Sequence, residues 1–314
     1  MKAITTLTLN PAIDVACDAD EVRHTQKTRT FNETMEPGGG GINVARALCG
    51  FHAPVRAIYL AGGASGRVLD GMIADRGIAR DAIWIHGETR ISLNVRERAS
   101  GSEFRFVPEG PDVRESEWRQ VLDRVEAADF DYLVASGSLP PGVPSKFYAD
   151  IAALTKAKDA RFMLDTSGEE LTAALAAGVF LVNPSSGELE QFTGRELTGH
   201  AAFAEAAGGI VSAGQAELVA VTLGRDGSIL VGRDGAYFLP AVDVEVNSAV
   251  GAGDSFLAGM TYGLAAGHEP LEAFRMAAAA GACAVQSPGT DLCKTADVDA
   301  LLKRVGRPQR LAIR

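Results

Sequence analysis

From Tyr132 to Thr222 the chain alternates short apolar runs with amphipathic ones, and this alternation limits the fold more than any other feature. Tyr132 to Ala135, Arg161 to Leu164, Phe180 to Val182 and Leu218 to Thr222 are expected strands. Between them Ser145 to Lys156, Glu169 to Ala177, about Gly187 to Phe192, and Ala201 to Ala213 have helical periodicity. Mainly apolar strands, each followed by a helix, imply a parallel sheet covered on both faces. The same grammar opens the chain, with strands at Ile4 to Leu9, Val55 to Ala61 and Ala82 to His86, and helices at Ser65 to Arg76 and Arg114 to Ala127. Val242 to Val246 also reads as a strand. Ser228 to Leu230 and Ala236 to Leu239, joined by Gly232-Arg-Asp-Gly235, read as an antiparallel hairpin at one sheet edge, and three helices are expected to close the chain.

Two segments interrupt this grammar. Residues from about 11 to 35 and from about 88 to 108 alternate apolar and polar side chains, as in strands exposed on one face. An exposed sheet on an α/β core must cover a ligand cleft or a partner. With 314 residues, one α/β domain over 1–314 with this β appendage fits the length. The sequence has no repeat, low-complexity tract or linker.

Two glycine-rich stretches carry the chemistry. The first is Glu36-Pro-Gly-Gly-Gly-Gly-Ile-Asn-Val-Ala-Arg-Ala47, where four glycines lead into an expected helix, Ile42 to Leu48. Each glycine costs backbone entropy on ordering, so the run needs a reason; close approach of a ligand to the backbone is favoured over a flexible turn. The second is Asn247-Ser-Ala-Val-Gly-Ala-Gly-Asp-Ser-Phe-Leu-Ala-Gly-Met260, which runs into an expected helix over about 252–266. Amides of Gly251, Ala252, Gly253 and Asp254 at a helix start would form an anion hole. Asp254 beside it is expected to be ionised at neutral pH, able to accept a hydroxyl proton while the hole holds a phosphoryl group. The plainer alternative makes Asp254 an N-cap and the glycines turn residues. No GxxxxGK[ST] occurs, and Gly38-x-Gly40-x-x-Asn43 lacks the last glycine of the dinucleotide fingerprint, which excludes a P-loop and argues against a nicotinamide enzyme.

These two stretches, in this order, resemble the two signatures of the ribokinase-like (PfkB) sugar kinases, and the resemblance runs from Thr6 to about Lys294. It is nearest the bacterial members of the minor 6-phosphofructokinase type. The fold this implies is a three-layer α/β/α sandwich with a mainly parallel central sheet and a small β-sheet lid, with two lids clasped in a homodimer. The implied activity is ATP-dependent phosphorylation of a sugar phosphate, best fructose 6-phosphate, with fructose 1-phosphate and tagatose 6-phosphate as rivals. A sugar-phosphate sensor without turnover is the alternative of another class.

The resemblance assigns Asp254 as base, with the anion hole from Gly251 through Ala252 and Gly253. Asp14, Asn43, the backbone of Gly39, Gly40 and Gly41, and Ser138 would meet the sugar. Lys27, Arg90 and Arg105 match lid positions of phosphofructokinase-type members and suit a substrate phosphate. On the nucleotide side Thr222, Gly224 and Gly227 match a loop beneath ATP. Glu188 would serve Mg2+ through water, as the last residue of a family N-x-x-E in which Ser185 replaces the Asn. Asn183 and Gly187 stand where close relatives carry lysines, so two cations near the ATP phosphates are absent. Carbonyls near Ser248, Val250 and Gly289 would hold a monovalent cation such as K+, although Asp291 stands where close relatives carry Arg.

The formal charge of −10 argues against nucleic acid as the main partner, yet leaves room for a local basic cluster. Cys17, Cys49, Cys283 and Cys293 form no CxxC pair, and no His lies at zinc-ligand spacing. The N-terminus runs straight into a strand, so no signal peptide is expected, and no apolar run is long enough to span a membrane. A cytoplasmic enzyme is the expectation.

Overall fold

The computed structural model describes residues 1–248, 250–286 and 295–312. The chain opens with β1 (Ile4–Thr8), β2 (Ala12–Ala19) and β3 (Thr30–Gly38), then α1 (Gly40–Gly50), β4 (Val55–Gly62), α2 (Gly63–Asp75) and β5 (Ala79–Ile85). It continues through β6 (Arg90–Glu97), β7 (Glu103–Phe106), α3 (Glu115–Ala127), β8 (Tyr132–Ser136), α4 (Phe147–Ala157), β9 (Arg161–Asp165), α5 (Gly168–Ala177) and β10 (Val179–Val182). Then follow α6 (Ser186–Thr193), α7 (Gly199–Ser212), β11 (Ala216–Thr222), β12 (Ser228–Gly232), β13 (Gly235–Leu239), α8 (Ala252–Ala265), α9 (Pro270–Gln286), α10 (Thr295–Leu302) and β14 (Gln309–Leu311).

The first strand lies inside the main sheet, whose order is β14-β13-β12-β11-β10-β9-β8-β1-β4-β5. All five residues of β1 are buried, and it pairs in parallel with β4 on one side and β8 on the other. The winding direction therefore reverses between β1 and β8. Open α/β sheets leave a crevice at such a switch, beyond the carboxyl ends of the strands. Ile4 belongs to the core on one face, with Ile42, Leu48, Tyr59, Phe256 and Phe274. Leu7 belongs to the other, with Ile58, Leu133, Phe147, Tyr148 and Val219. Helices cover both faces, giving three layers. Packing of α8 on α9 depends on glycine: a Cβ at Gly259 would lie 2.8 Å from Met276 O, and one at Gly263 2.7 Å from Ala273 Cα. This close approach seats α8, which carries Asp254, against α9.

The smaller sheet has the order β3-β2-β6-β7. Its two strand pairs come from the two segments that broke the α/β grammar. Two expectations fail. Residues 242–246 form no strand, although their alternation of Val with Asp and Glu imitates one. The β12–β13 hairpin is also not the outermost element at its edge, because β14 pairs antiparallel with β13. Three polar-flanked residues near the chain end carry too little periodicity to announce a strand. Among the described residues no helix is long and apolar enough to cross a membrane.

Candidate active site

The α8 N-terminus opens onto the β1/β8 crevice. Gly251 is its N-cap, in the left-handed region at φ 74°, which glycine adopts without strain. Asp254 is the third helical residue, not the cap. Its carboxylate turns from its own helix: Asn43 Nδ2 on α1 donates to Oδ2 at 3.0 Å, and Ser136 Oγ at the end of β8 donates to Oδ1 at 3.0 Å. Each oxygen keeps a lone-pair direction for a substrate hydroxyl. Burial raises the Asp254 pKa; the Asn43 and Ser136 hydrogen bonds oppose this, nearby Asp14 adds to it, and Arg46 lowers it. A raised carboxylate is a better proton acceptor when ionised. Open space surrounds the position a Gly253 Cβ would take, so the first turn of α8 is bare on that side.

The glycine run has a reason that the sequence reading did not find. A Cβ at Gly38 would lie 2.0 Å from Asp14 Oδ2, one at Gly40 2.0 Å from Ser136 Oγ, and one at Gly41 2.3 Å from Leu7 O. These glycines admit the protein's own groups, two of them polar side chains of the site. Gly39 takes φ 102° as the N-cap of α1, which starts at Gly40, two residues earlier than expected.

The lid forms the facing wall. A cleft of about 290 Å³ is lined by Asp14, Gly39, Gly40, Asn43, Arg90, Ser92, Asn94, Arg105, Val250, Gly251 and Asp254 among others. In-register pairing puts Asp14 beside Ser92, and Asn94 beside Arg105, so these side chains share one face of the small sheet. Burial raises the Asp14 pKa, offset by the Ser92 hydroxyl and then by Arg46, Arg90 and Arg105. Arg90 Nη1 and Nη2 donate to the carbonyls of Pro108 and Asn10, both at 2.8 Å. Its Nε is buried without a hydrogen-bond partner in the structure, leaving a donor unspent. Burial lowers the Arg90 pKa against the opposing pull of Asp14. Lys27 differs from the two arginines: it is exposed on the β2–β3 connection and does not line this cleft. Ser138 is exposed beyond β8, where its Oγ accepts from Asn10 Nδ2 at 3.4 Å.

The expected nucleotide side follows β10 and β11. Ser185 is the N-cap of α6 and Glu188 its third residue; Glu188 Oε2 accepts from Ser185 N and Oγ, both at 2.8 Å, and Glu188 N donates to Ser185 Oγ at 3.3 Å. This is a complete capping box. Thr222 N donates to Pro184 O at 3.0 Å, joining the ends of the two strands. Gly224 and Gly227 bracket a short 3-10 turn, with φ of 60° and 115°. Asn183 is buried with its Oδ1 unpartnered. Ser248 Oγ accepts from Val250 N at 3.2 Å. Gly289 and Asp291 lie outside the described residues.

Two polar residues escaped the sequence reading. Ser136, not Ser138 two residues on, reaches Asp254. Asp165 ends β9, and Ser136 Oγ lies 3.3 Å from its Oδ2. Burial pushes the Asp165 pKa well above the usual carboxylate range, with the charges of Asp254 and Glu188 adding to it. One Oγ–H proton serves only one of the two carboxylates at a time. The available signal was position: Ser136 and Asp165 both close parallel strands, where α/β sheets place ligands.

Residues 7–297 match the model of the pfkB family carbohydrate kinases, and the chain belongs to this family. Its fold is accordingly ribokinase-like, and its class is that of phosphotransferases acting on a sugar hydroxyl. It is 37% identical over 307 residues to ATP-dependent 6-phosphofructokinase isozyme 2 of Mycobacterium tuberculosis, covering 97% of this chain and 90% of the relative. Identity to the protein of the same name from Escherichia coli is 38% over 309 residues, covering 98% and 100%. The 1-phosphofructokinase of Haloferax volcanii is 33% identical, with 94% and 95% covered. Among solved structures, E. coli phosphofructokinase-2 in complex with potassium superposes with a TM-score of 0.93 at 37% identity, covering 96% of this chain and 99% of that one. The same protein in complex with fructose-6-phosphate gives 0.91 at 36%, with the same coverage.

Proposed function

We propose that this chain is an ATP-dependent 6-phosphofructokinase that phosphorylates O1 of fructose 6-phosphate, acting as one kinase domain over 1–314. The observation that carries the reading is Asp254, held by Asn43 and Ser136 at the start of α8 in a cleft whose opposite wall carries Arg90 and Arg105. The near relatives named for this activity support it.

In this reading Asp254 accepts the proton of the attacking hydroxyl. The Gly251 to Asp254 amides and the helix dipole steady the phosphoryl oxygens. Asp14, Asn43, Gly39 to Gly41 and Ser138 orient the sugar, and Arg90 and Arg105 hold its phosphate. Thr222, Gly224, Gly227, Asn183 and Ser185 bound the nucleotide. The donor set suits Mg2+ carried on ATP phosphates: burial and then the charges of Asp254 and Glu188 press on the Asp165 carboxylate, and a divalent cation relieves such repulsion. Bound there, Mg2+ would neutralise phosphate charge. Carbonyls of Ser248 and Val250 would serve a monovalent cation, as the potassium complex of the relative suggests.

A homodimer through the lid completes the proposal. Register brings Met35, Val15, Leu93 and Phe106 into one row across all four lid strands, on the face away from Asp14. Met35 is 49% exposed and Phe106 57%, an apolar row that suits burial against a second lid. Lys27, outside its own cleft, is then free to serve the partner's. The protein is placed in the cytoplasm.

The 33% identity to a 1-phosphofructokinase keeps fructose 1-phosphate as a second reading. The test is turnover with Mg·ATP on fructose 6-phosphate, fructose 1-phosphate, tagatose 6-phosphate and fructose. Selective turnover of fructose 6-phosphate, lost in Asp254→Asn, is expected. Preference for unphosphorylated fructose would remove the phosphate role given to Arg90 and Arg105. No turnover, with sugar-phosphate binding retained by calorimetry, would turn the reading toward a sensor.

A further inference from the structure

Arg46 lies one helical turn after Asn43 on α1, and only 6% of its side chain is exposed. A guanidinium so buried needs acceptors around it. Nη2 donates to Glu36 Oε2 at 2.6 Å, and Nη1 donates to Pro37 O at 3.1 Å and to Asn43 Oδ1 at 3.3 Å. Glu36 stands directly opposite Asp14 in the β2–β3 pair, on the lid strand that leads into the glycine run. Arg76, at the end of α2, closes on the same Glu36 oxygen.

The chemistry of these groups fixes a direction. A guanidinium has donors and no acceptor, whereas an amide has one end of each kind. Arg46 therefore accepts only the Oδ1 end of Asn43 as its neighbour. Nδ2 is left pointing at Asp254, which has acceptors alone when ionised. Turning the Asn43 amide over would set donor against donor at Arg46 and acceptor against acceptor at Asp254. Without Arg46 only the Asp254 end would distinguish the two orientations.

We infer that Arg46 is a positioning residue, which locks the Asn43 amide so that its N–H holds the Asp254 carboxylate, and that Glu36 anchors this line of contacts to the lid. The line runs Glu36, Arg46, Asn43, Asp254, from lid strand to helix start. Ser136 holds the other Asp254 oxygen from β8. Asp14 and Asp165 are the charged neighbours on β2 and β9, and the Arg46 charge favours the ionised forms of both Asp14 and Asp254. The effect on turnover rests on the proposed base role of Asp254; the amide orientation does not.

The test has one arm that needs no activity. In protein labelled with 15N-asparagine, the Asn43 side-chain amide is assigned by its loss in Asn43→Ala, and its hydrogen exchange is measured in wild type, Arg46→Lys, Arg46→Met and Glu36→Gln. Exchange about tenfold faster or more is expected in Arg46→Met, with intermediate values in Arg46→Lys and Glu36→Gln. In the kinase assay kcat should fall about tenfold or more in Arg46→Met, and KM for the sugar phosphate, which Asn43 also meets, should rise by a smaller factor, the signature of a misplaced base. Arg46→Lys should recover part of kcat. Unchanged exchange in variants that keep a cooperative melt overturns the inference, as does a loss confined to KM. If Arg46→Met does not fold, the exchange rates in Arg46→Lys and Glu36→Gln decide. A wild type that turns over no ketose phosphate overturns the proposed function, and the exchange arm still decides the role of Arg46.

Discussion

The two walls of the site are built in different ways. On the proposed sugar side Asp254 is held by Asn43, 211 residues away, and by Ser136, 118 residues away. On the proposed nucleotide side Glu188 is held by Ser185, three residues away. The first wall exists only once α1, β8 and α8 have docked, so its geometry belongs to the whole fold. The second is a helix cap that a local segment forms by itself. Substitutions on the sugar side should therefore cost function and cooperativity together, and those at the α6 cap should cost little stability beyond the cap, with any functional loss confined to Mg·ATP binding.

The largest effect should come from Asp254→Asn. The amide keeps one acceptor but presents donors toward Asn43 or Ser136, and it cannot take a proton at neutral pH. Loss of a general base costs about 10²- to 10⁴-fold, read as kcat in a coupled assay with Mg·ATP and fructose 6-phosphate. Wild-type kcat in this variant would rule out Asp254 as the base.

Gly40→Ala tests the fold-dependence of the same wall. Its Cβ would lie 2.0 Å from Ser136 Oγ, so Ser136 or α1 must move, at a cost of about 1–3 kcal/mol. Gly187→Ala is the control on the nucleotide side. Nothing lies within 4 Å of its added methyl, and alanine favours helix over glycine by up to about 1 kcal/mol. Thermal melts should move in opposite directions, down for Gly40→Ala and up for Gly187→Ala. Parallel shifts would show that the two walls do not differ as argued.

That glycine contrast also marks what the sequence made legible. The strand–helix order, the lid segments and the helix start that carries Asp254 followed from periodicity and two motifs, because such signals are local. The four glycines stood out, yet their reason was assigned to a ligand; that their absent side chains make room for Asp14, Ser136 and Leu7 depends on contacts between elements. Ser136 and Asp165 were missed for the same reason, since a single Ser or Asp at a strand end is unremarkable until neighbouring strands align. Val242 to Val246 misled in the other direction: alternation without a partner strand makes no sheet.

Ser185→Ala should give a smaller change. It removes a side-chain acceptor for Glu188 N and a donor to the Glu188 carboxylate, a cap loss of about 1 kcal/mol. At this chain length the melting midpoint should drop by about 1–2 °C, with kcat for the sugar phosphate retained and KM for Mg·ATP carrying any kinetic effect. A kcat loss comparable to that of Asp254→Asn would place Glu188 on the sugar wall after all.

The smallest effect expected is a gain. Asp165 has a folded-state pKa well above the usual range, caused first by burial and then by Asp254 and Glu188. A carboxyl raised in this way stabilises the fold fully while protonated, below its unfolded pKa of about 3.9. That contribution is lost as pH rises through the folded value. Asp165→Asn removes the loss. Its melting midpoint should match wild type near pH 4 and exceed it at pH 8. Adding Mg·ATP should stabilise wild type more than the variant, since ligand binding to the folded state is what an ionised Asp165 would serve. A difference that is constant with pH, or that grows toward acid, would mean that Asp165 is not the strained carboxylate. The divalent cation would then have no electrostatic debt to relieve between the two walls.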